Sequence, residues 1–456
     1  MGETVLELTD VLRLLAQHEV AADRTLNMVP SENAMSGIAK LPLLLDAYHR
    51  YFFNERGDPE HWDFRGGQDL RELEMSLTVP LLTELGRAGW VSVRPRSGMG
   101  AMTLVFASLG GPPGSDVMTL SPDVGGHYAT VSLATRLGLR VHQLDGPDPH
   151  GLDLDRASEQ VAEVRPALVY VDQSHCLFPV DVSSLVTTVR RASPGTRVHI
   201  DTSQWLGLVL GGVFDNPLDC GADSFGGSTH KTFPGPQKGV FLTRDQQVAK
   251  RVEETQHHLI SSHHFAATIS LGIALLEFRQ FGAEYARAVV DNTRRFGALL
   301  LERGITVMAA DRGFSAGHQL WLDTDADGIP PRVASDRLFQ AGIRVNFMAG
   351  LPRVAGQAVR IGLNEPTYRG LAGPELVELA DVFVAAVQAT EAPNKLANRV
   401  AGLPRRAWYG VAADPESPMM QQALALCAAA LARPHGGVPV DLNLASIGKD
   451  DLHMSP

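Results

Sequence analysis

The chain has 456 residues, 44% hydrophobic and 20% charged, which is ordinary for a globular protein and enough for two or three sub-domains around ample core. Its formal net charge of −11 argues against a nucleic acid or an anionic membrane as the main partner, because both call for a basic face. Cys176, Cys220 and Cys427 are too scattered for a disulfide framework or a metal knuckle and suit a reducing cytoplasm. The opening residues lack the basic region and compact apolar core of a signal peptide, and no run of about 20 apolar residues offers a membrane span.

In chain order, Val5, Leu8, Val11, Leu12 and Leu15 recur at helical spacing and predict an amphipathic helix, whose apolar face packs on its own chain or on a partner. Residues 46–67, dense in aromatics, Gly and charge, predict a loop. Arg96-Ser97-Gly98-Met99-Gly100 precedes an apolar helical run, so a small-residue turn offers backbone N–H groups and a positive dipole end to an anion. Val124-Gly125-Gly126-His127-Tyr128 follows a second βα-like unit, and Tyr170-Val171-Asp172-Gln173-Ser174-His175 ends the next apolar strand. Residues 199–240 open on a β-like run ending at Asp201 and reach a polar, Gly-rich turn carrying Lys231. Gln256-His257-His258 and Ser261-Ser262-His263-His264 make a histidine-rich patch, with no carboxylate or thiolate to complete a metal site. From about Thr268 a long helical pattern leads into a smaller α+β region in which Ile343-Arg344-Val345-Asn346 and Val359-Arg360-Ile361-Gly362 read as strands. An Ala/Leu-rich helix follows in the tail. Strand and helix signals alternate through the first two thirds, which implies an α/β fold with a mainly parallel sheet covered on both faces.

A carboxylate at the end of a buried strand and a lysine on a loop 30 residues later are the pair that pyridoxal 5'-phosphate needs. The amine forms a Schiff base with the aldehyde, and Asp201 keeps the pyridine nitrogen protonated so that the ring acts as an electron sink. Asp201-Thr202-Ser203, Gly221-Ala222-Asp223 and Ser228-Thr229-His230-Lys231-Thr232 with Gly235-Pro236 resemble the active-site block of serine hydroxymethyltransferases. The longer wording of residues 211–239 is similar to a divergent branch that includes the threonine transaldolases of natural-product pathways. The resemblance covers most of residues 25–390.

It implies the fold-type-I α/β architecture: a helical arm over residues 1–30, a large cofactor domain with a mainly parallel seven-stranded sheet over 31–285, a small α+β domain over 286–392 and an extension over 393–456. It also implies a homodimer with shared active sites. Lys231 would carry the cofactor and His127 would lie on its ring. Ser97, with the amides of Gly98 and Met99, would cup the phosphate; Ser174, Asp201, Ser203, Gln204, Ser228 and His230 would complete the cofactor contacts. Arg360, with Thr367 and Arg369-Gly370 behind it, would clasp the α-carboxylate of an amino-acid substrate by a bidentate pair. Glu32, in a Ser-Glu-Asn signature, would exchange a proton beside the substrate's side chain, unless Ser31 or Asn33 simply caps the next segment. Tyr48 and Tyr51 are the hydroxyls available from a region that crosses the dimer interface, and His263 and His264 would reach the neighbouring site near the phosphate. Phe64-Arg65 replace paired tyrosines of the family, Met99 replaces a common serine and Gln204 replaces a histidine. Glutamine carries no proton at neutral pH, so a shuttle at that position is excluded.

Such a site supports several outcomes. The leading expectation is Cα–Cβ exchange of a β-hydroxy amino acid with a second aldehyde, transaldolase chemistry of an antibiotic-type pathway. C–S elimination from an S-conjugated cysteine or a decarboxylating reaction comes second. Folate-dependent hydroxymethyl transfer and a non-catalytic protein that keeps the fold are further alternatives.

Overall fold

The computed structural model describes residues 5–52, 66–405 and 416–432; Phe64 and Arg65 lie outside them. Its strands are β1 (Leu26–Asn27), β2 (Trp90–Ser92), β3 (Asp116–Leu120), β4 (Arg140–Leu144), β5 (Leu168–Val171), β6 (Arg197–Asp201), β7 (Ser224–Ser228), β8 (Gly239–Thr243), β9 (Gln319–Leu322), β10 (Ile343–Arg344), β11 (Asn346–Ala349) and β12 (Gln357–Gly362). The large sheet has seven strands in the order β2-β8-β7-β6-β5-β3-β4. β4, β3, β5, β6 and β7 run parallel, and β8 turns against β7 and β2. This is the mainly parallel sheet that the alternating pattern implies.

Burial on both faces explains the strand sequences. Leu168-Val169-Tyr170-Val171 is buried at every position, as a strand covered on both sides requires. Several covering helices begin on an aspartate cap: Asp153, Asp181 and Asp245 accept from the backbone N–H of Arg156, Ser184 and Gln247. The helix Phe265–Glu302, 38 residues long and so about 57 Å, joins two cores. Leu271, Leu275, Phe278 and Tyr285 belong to the large core, and Phe296 and Leu300 to the small one. There β11, β12 and β9 form an antiparallel sheet.

The single strand expected over Ile343–Asn346 is two. β10 pairs with β1, and β11 with β12, so the chain changes partner at Val345. Asp46–His49, read as loop, makes one 3-10 turn. The amphipathic helix at the N-terminus forms over Leu8–Arg24, and none of its residues is buried within this chain. Among the described residues no helix is long and apolar enough to cross a membrane.

The centre of the sheet is crowded around β7. A Cβ on Gly226 would stand 2.2 Å from the Val240 carbonyl oxygen, a backbone atom fixed by the pairing of β7 with β8. Gly226→Ala is therefore expected to cost about 1–3 kcal/mol or more as an overpacking change, read as a lower unfolding temperature than the wild-type protein.

Candidate active site

β5, β6 and β7 lie side by side and end together, so their carboxyl ends deliver Asp172, Asp201 and Ser228 to one edge, where open α/β sheets bind ligands. A cavity of about 240 Å³ opens there, lined by Ser97, Gly98, Met99, Met102, His127, Asp172, Gln173, Ser174, Asp201, Ser203, Gln204, Ser228, His230 and Lys231. A hollow of about 510 Å³ adjoins it and shares Gln173 and Asp201, and one of about 640 Å³ lies along the N-terminal helix, but neither is lined by a lysine. Chemistry, not size, marks the smaller one.

Each group is held by partners distant in sequence. The Lys231 carbonyl accepts from Asn33 Nδ2 at 2.7 Å and Asn364 Nδ2 at 3.1 Å. Tyr285 donates to the Thr232 carbonyl at 3.0 Å, and Thr232 Oγ1 donates to that of Gln204 at 2.8 Å. Burial lowers the Lys231 amine to about 8, against the opposing pull of the Asp201 carboxylate and with the help of Arg360. Asp201 accepts the Tyr170 hydroxyl at 2.6 Å on one oxygen and the Ser203 N–H at 2.7 Å on the other. Its orientation is set from both sides.

His127 takes its place from Asp172, which accepts the His127 N–H at 3.0 Å and the Thr130 hydroxyl. Burial pushes Asp172 well above the usual carboxylate range. Burial lowers His127 against the pull of the Asp201 carboxylate, with help from the Lys231 charge, and burial with the Lys231 charge brings His230 to about 4, so both rings are neutral at pH 7. Ser97 caps the helix Gly98–Leu109, its Oγ accepting from the Gly100 N–H at 3.0 Å. The Gly98 and Met99 N–H groups have no intrahelical partner in that first turn. A Cβ on Gly98 would fall 2.1 Å from Ser228 Oγ, so glycine lets the helix end meet the end of β7.

Other expected residues stand outside this cavity. Arg360, on β12, is buried and donates through Nε to Gln319 Oε1 at 2.8 Å and through a terminal nitrogen to the Ser174 carbonyl at 3.3 Å. Burial lowers it to about 10, which still leaves it cationic. The Glu32 carboxylate is exposed and accepts from Asn27 Nδ2 at 2.9 Å. Neither Ser31 nor Asn33 caps the next helix; Ser36 does. Tyr48 and Tyr51 are 52% and 46% exposed. His263 packs its ring against Phe265 and Phe52, and His264 meets Tyr48 edge-on. Among the described residues no three His, Cys, Asp or Glu side chains gather to hold a metal ion. Asn364, Tyr285, Tyr170 and Gln319 carried no sequence signal; only their buried polar ends betray them.

A serine hydroxymethyltransferase family model matches residues 9–383. The chain belongs to that family. It is 44% identical over 387 residues to an L-threonine:uridine-5'-aldehyde transaldolase from Streptomyces sp, spanning 84% of this chain and 90% of that relative. To a serine hydroxymethyltransferase from Methanothermobacter thermautotrophicus it is 33% identical over 384 residues, 81% and 88% of the two chains. The solved L-threonine transaldolase from Pseudomonas fluorescens has the same fold, with a TM-score of 0.80 over 91% of this chain and 96% of that one at 24% identity.

Serine hydroxymethyltransferase-family enzymes work with pyridoxal 5'-phosphate, and the residues fit it. One cavity combines a low-pKa lysine, an oriented carboxylate, a neutral imidazole and two free amides at a capped helix start. In the apoprotein, borohydride-trapped attachment of pyridoxal phosphate is expected to quicken as pH rises through about 8, because only the uncharged amine attacks the aldehyde. Peptide mapping should place the adduct on Lys231, and Lys231→Ala should give none there.

Proposed function

We propose that the protein is a transaldolase that acts on L-threonine or a similar β-hydroxy amino acid and passes its Cα unit to a second aldehyde, in a specialised-metabolite pathway. The observation that carries this reading is the buried Arg360 beside Ser174, next to the cavity of Lys231. A fixed cation within reach of a Schiff-base lysine suits an α-amino acid held by its carboxylate. The transaldolase relatives supply the choice of bond, and uridine-5'-aldehyde is the first acceptor to test.

Bound pyridoxal phosphate supplies the electron sink that makes bonds at Cα breakable. The protein's part is to select the bond and to place protons. Arg360 would fix the carboxylate, which leaves the wall of the cavity to orient the Cα–Cβ bond. Breaking Cα–Cβ would release acetaldehyde as the β-hydroxyl gives up its proton, and bonding of the second aldehyde's carbonyl carbon to Cα would leave its oxygen to take one up as the new β-hydroxyl. His127 and His230, neutral at pH 7, are able to accept a proton in that exchange, whereas Gln204 is not. Lys231 attaches the cofactor and moves the proton at its own Nζ.

The working unit is a cytoplasmic homodimer. Leu8, Leu12 and Leu15 are exposed on the N-terminal helix, a stripe that suits a partner subunit. In that unit Tyr48, Tyr51, His263 and His264 serve the neighbouring site, and Glu32 exchanges a proton beside the substrate's side chain.

The decisive experiment offers L-threonine with uridine-5'-aldehyde and, separately, an S-alkyl cysteine, and identifies products by mass. Acetaldehyde and a new β-hydroxy-α-amino acid are expected. Thiol and ammonia from the cysteine, with threonine inert, would replace this reading by C–S elimination. Arg360→Ala is expected to raise KM for the amino acid by the equivalent of about 2–5 kcal/mol, the cost of leaving a charge partner unpaired, measured by steady-state kinetics.

A further inference from the structure

Arg360 stands opposite Trp321 in the register of β12 and β9, so Gln319, two residues earlier, is its diagonal neighbour on the same face. Arg360 and Gln319 are 4% and 0% exposed. Arg360 Nε donates to Gln319 Oε1 at 2.8 Å, and Gln319 Nε2 donates to Gln204 Oε1 at 3.3 Å. Gln204, itself 4% exposed, lines the cavity of Lys231. A glutamine without solvent access inside the apolar strand Gln-Leu-Trp-Leu calls for a reason, because burying an amide is costly unless both its ends are used.

The polarity of this chain of amides has one solution. A guanidinium has only donors, so Gln319 must turn its oxygen to Arg360 and its NH2 to Gln204. Gln204 must then turn its own oxygen to Gln319. What it has left for the cavity is an NH2, a donor.

We infer that Gln319 is a positioning residue: it carries the donor polarity of Arg360 from the small sheet to the large one and locks Gln204 as a fixed hydrogen-bond donor facing the cofactor and substrate. The inference rests on Arg360 being the carboxylate anchor. An acceptor such as a phenolate or carboxylate oxygen is favoured opposite Gln204, and a protonated group is not. A histidine at this position would donate or accept according to its tautomer. The glutamine takes its direction from a permanent charge two residues away along the network.

Two Gln319 variants of the holoenzyme, set beside Gln204→Leu and Arg360→Ala, test this. The Gln319→Glu side chain keeps the shape but has only acceptors at neutral pH, so Gln204 must reverse and show its oxygen to the cavity. Gln319→Leu takes from Arg360 the acceptor of its Nε and from Gln204 the donor to its Oε1. Loss of a hydrogen bond to a charged group should raise KM for L-threonine about tenfold in Gln319→Leu, with kcat changing less. In Gln319→Glu the pH midpoint of the bound cofactor's visible absorbance should shift. In a double-mutant cycle, Gln319→Glu should add little once Gln204→Leu is present, because both act on one donor. Strict additivity, or a wild-type absorbance midpoint in Gln319→Glu, would overturn the inference. If Gln319→Leu does not fold, Gln319→Glu and the cycle still decide. Arg360→Ala separates the two levels: an unchanged KM there removes the anchor and this relay together. A raised KM there with additive behaviour at Gln319 and Gln204 removes the relay alone.

Discussion

The site depends on how the backbone of one residue is held. Lys231 sits in a turn between β7 and β8 that belongs to no regular element, so its carbonyl has no ladder partner. Asn33 and Asn364, from either side of Lys231 in the sequence, both donate to it. An unsatisfied buried carbonyl costs about 1–3 kcal/mol, and here the two amides also tie the N-terminal segment and the small unit to the lysine turn. Asn33 donates further to the Tyr285 hydroxyl, and Tyr285 reaches Thr232 and Asn364. The long helix that carries Tyr285 thereby connects the lysine turn to the small core through polar contacts as well as apolar packing.

What could be read from the sequence is what is local. Asp201 ends a strand and Ser97 opens a helix, Lys231 and His127 stand in short turns just beyond such elements within Gly-containing runs, and the parallel sheet follows from alternating apolar runs. The pairings that orient those groups were not legible. Tyr170 reads as an ordinary aromatic of a buried strand, yet its hydroxyl is a partner of Asp201. Gln319 and Asn364 are polar residues in apolar surroundings, and no spacing rule links them to positions more than a hundred residues away. The split of residues 343–349 into β10 and β11 escaped for the same reason: propensity reports that a segment is extended, not which partner it pairs with.

Charge gives the site a further order. Two cations, Lys231 and Arg360, are buried near one another, and the Arg360 charge is among the causes that lower the lysine. A substrate carboxylate on Arg360 would cancel most of that charge. The amine would then lose a reason to stay deprotonated, and its basicity would rise while the site is occupied. Taking up the cofactor would call on Lys231 as a nucleophile, which favours a low pKa; the amine set free once substrate has replaced it would have to hold a proton, which favours a higher one. Arg360 can serve both needs because guanidinium stays charged whatever its burial, so the change at the lysine follows occupancy and not titration of the arginine. A lysine in place of Arg360 would itself lose its proton when buried, and the coupling would disappear with it.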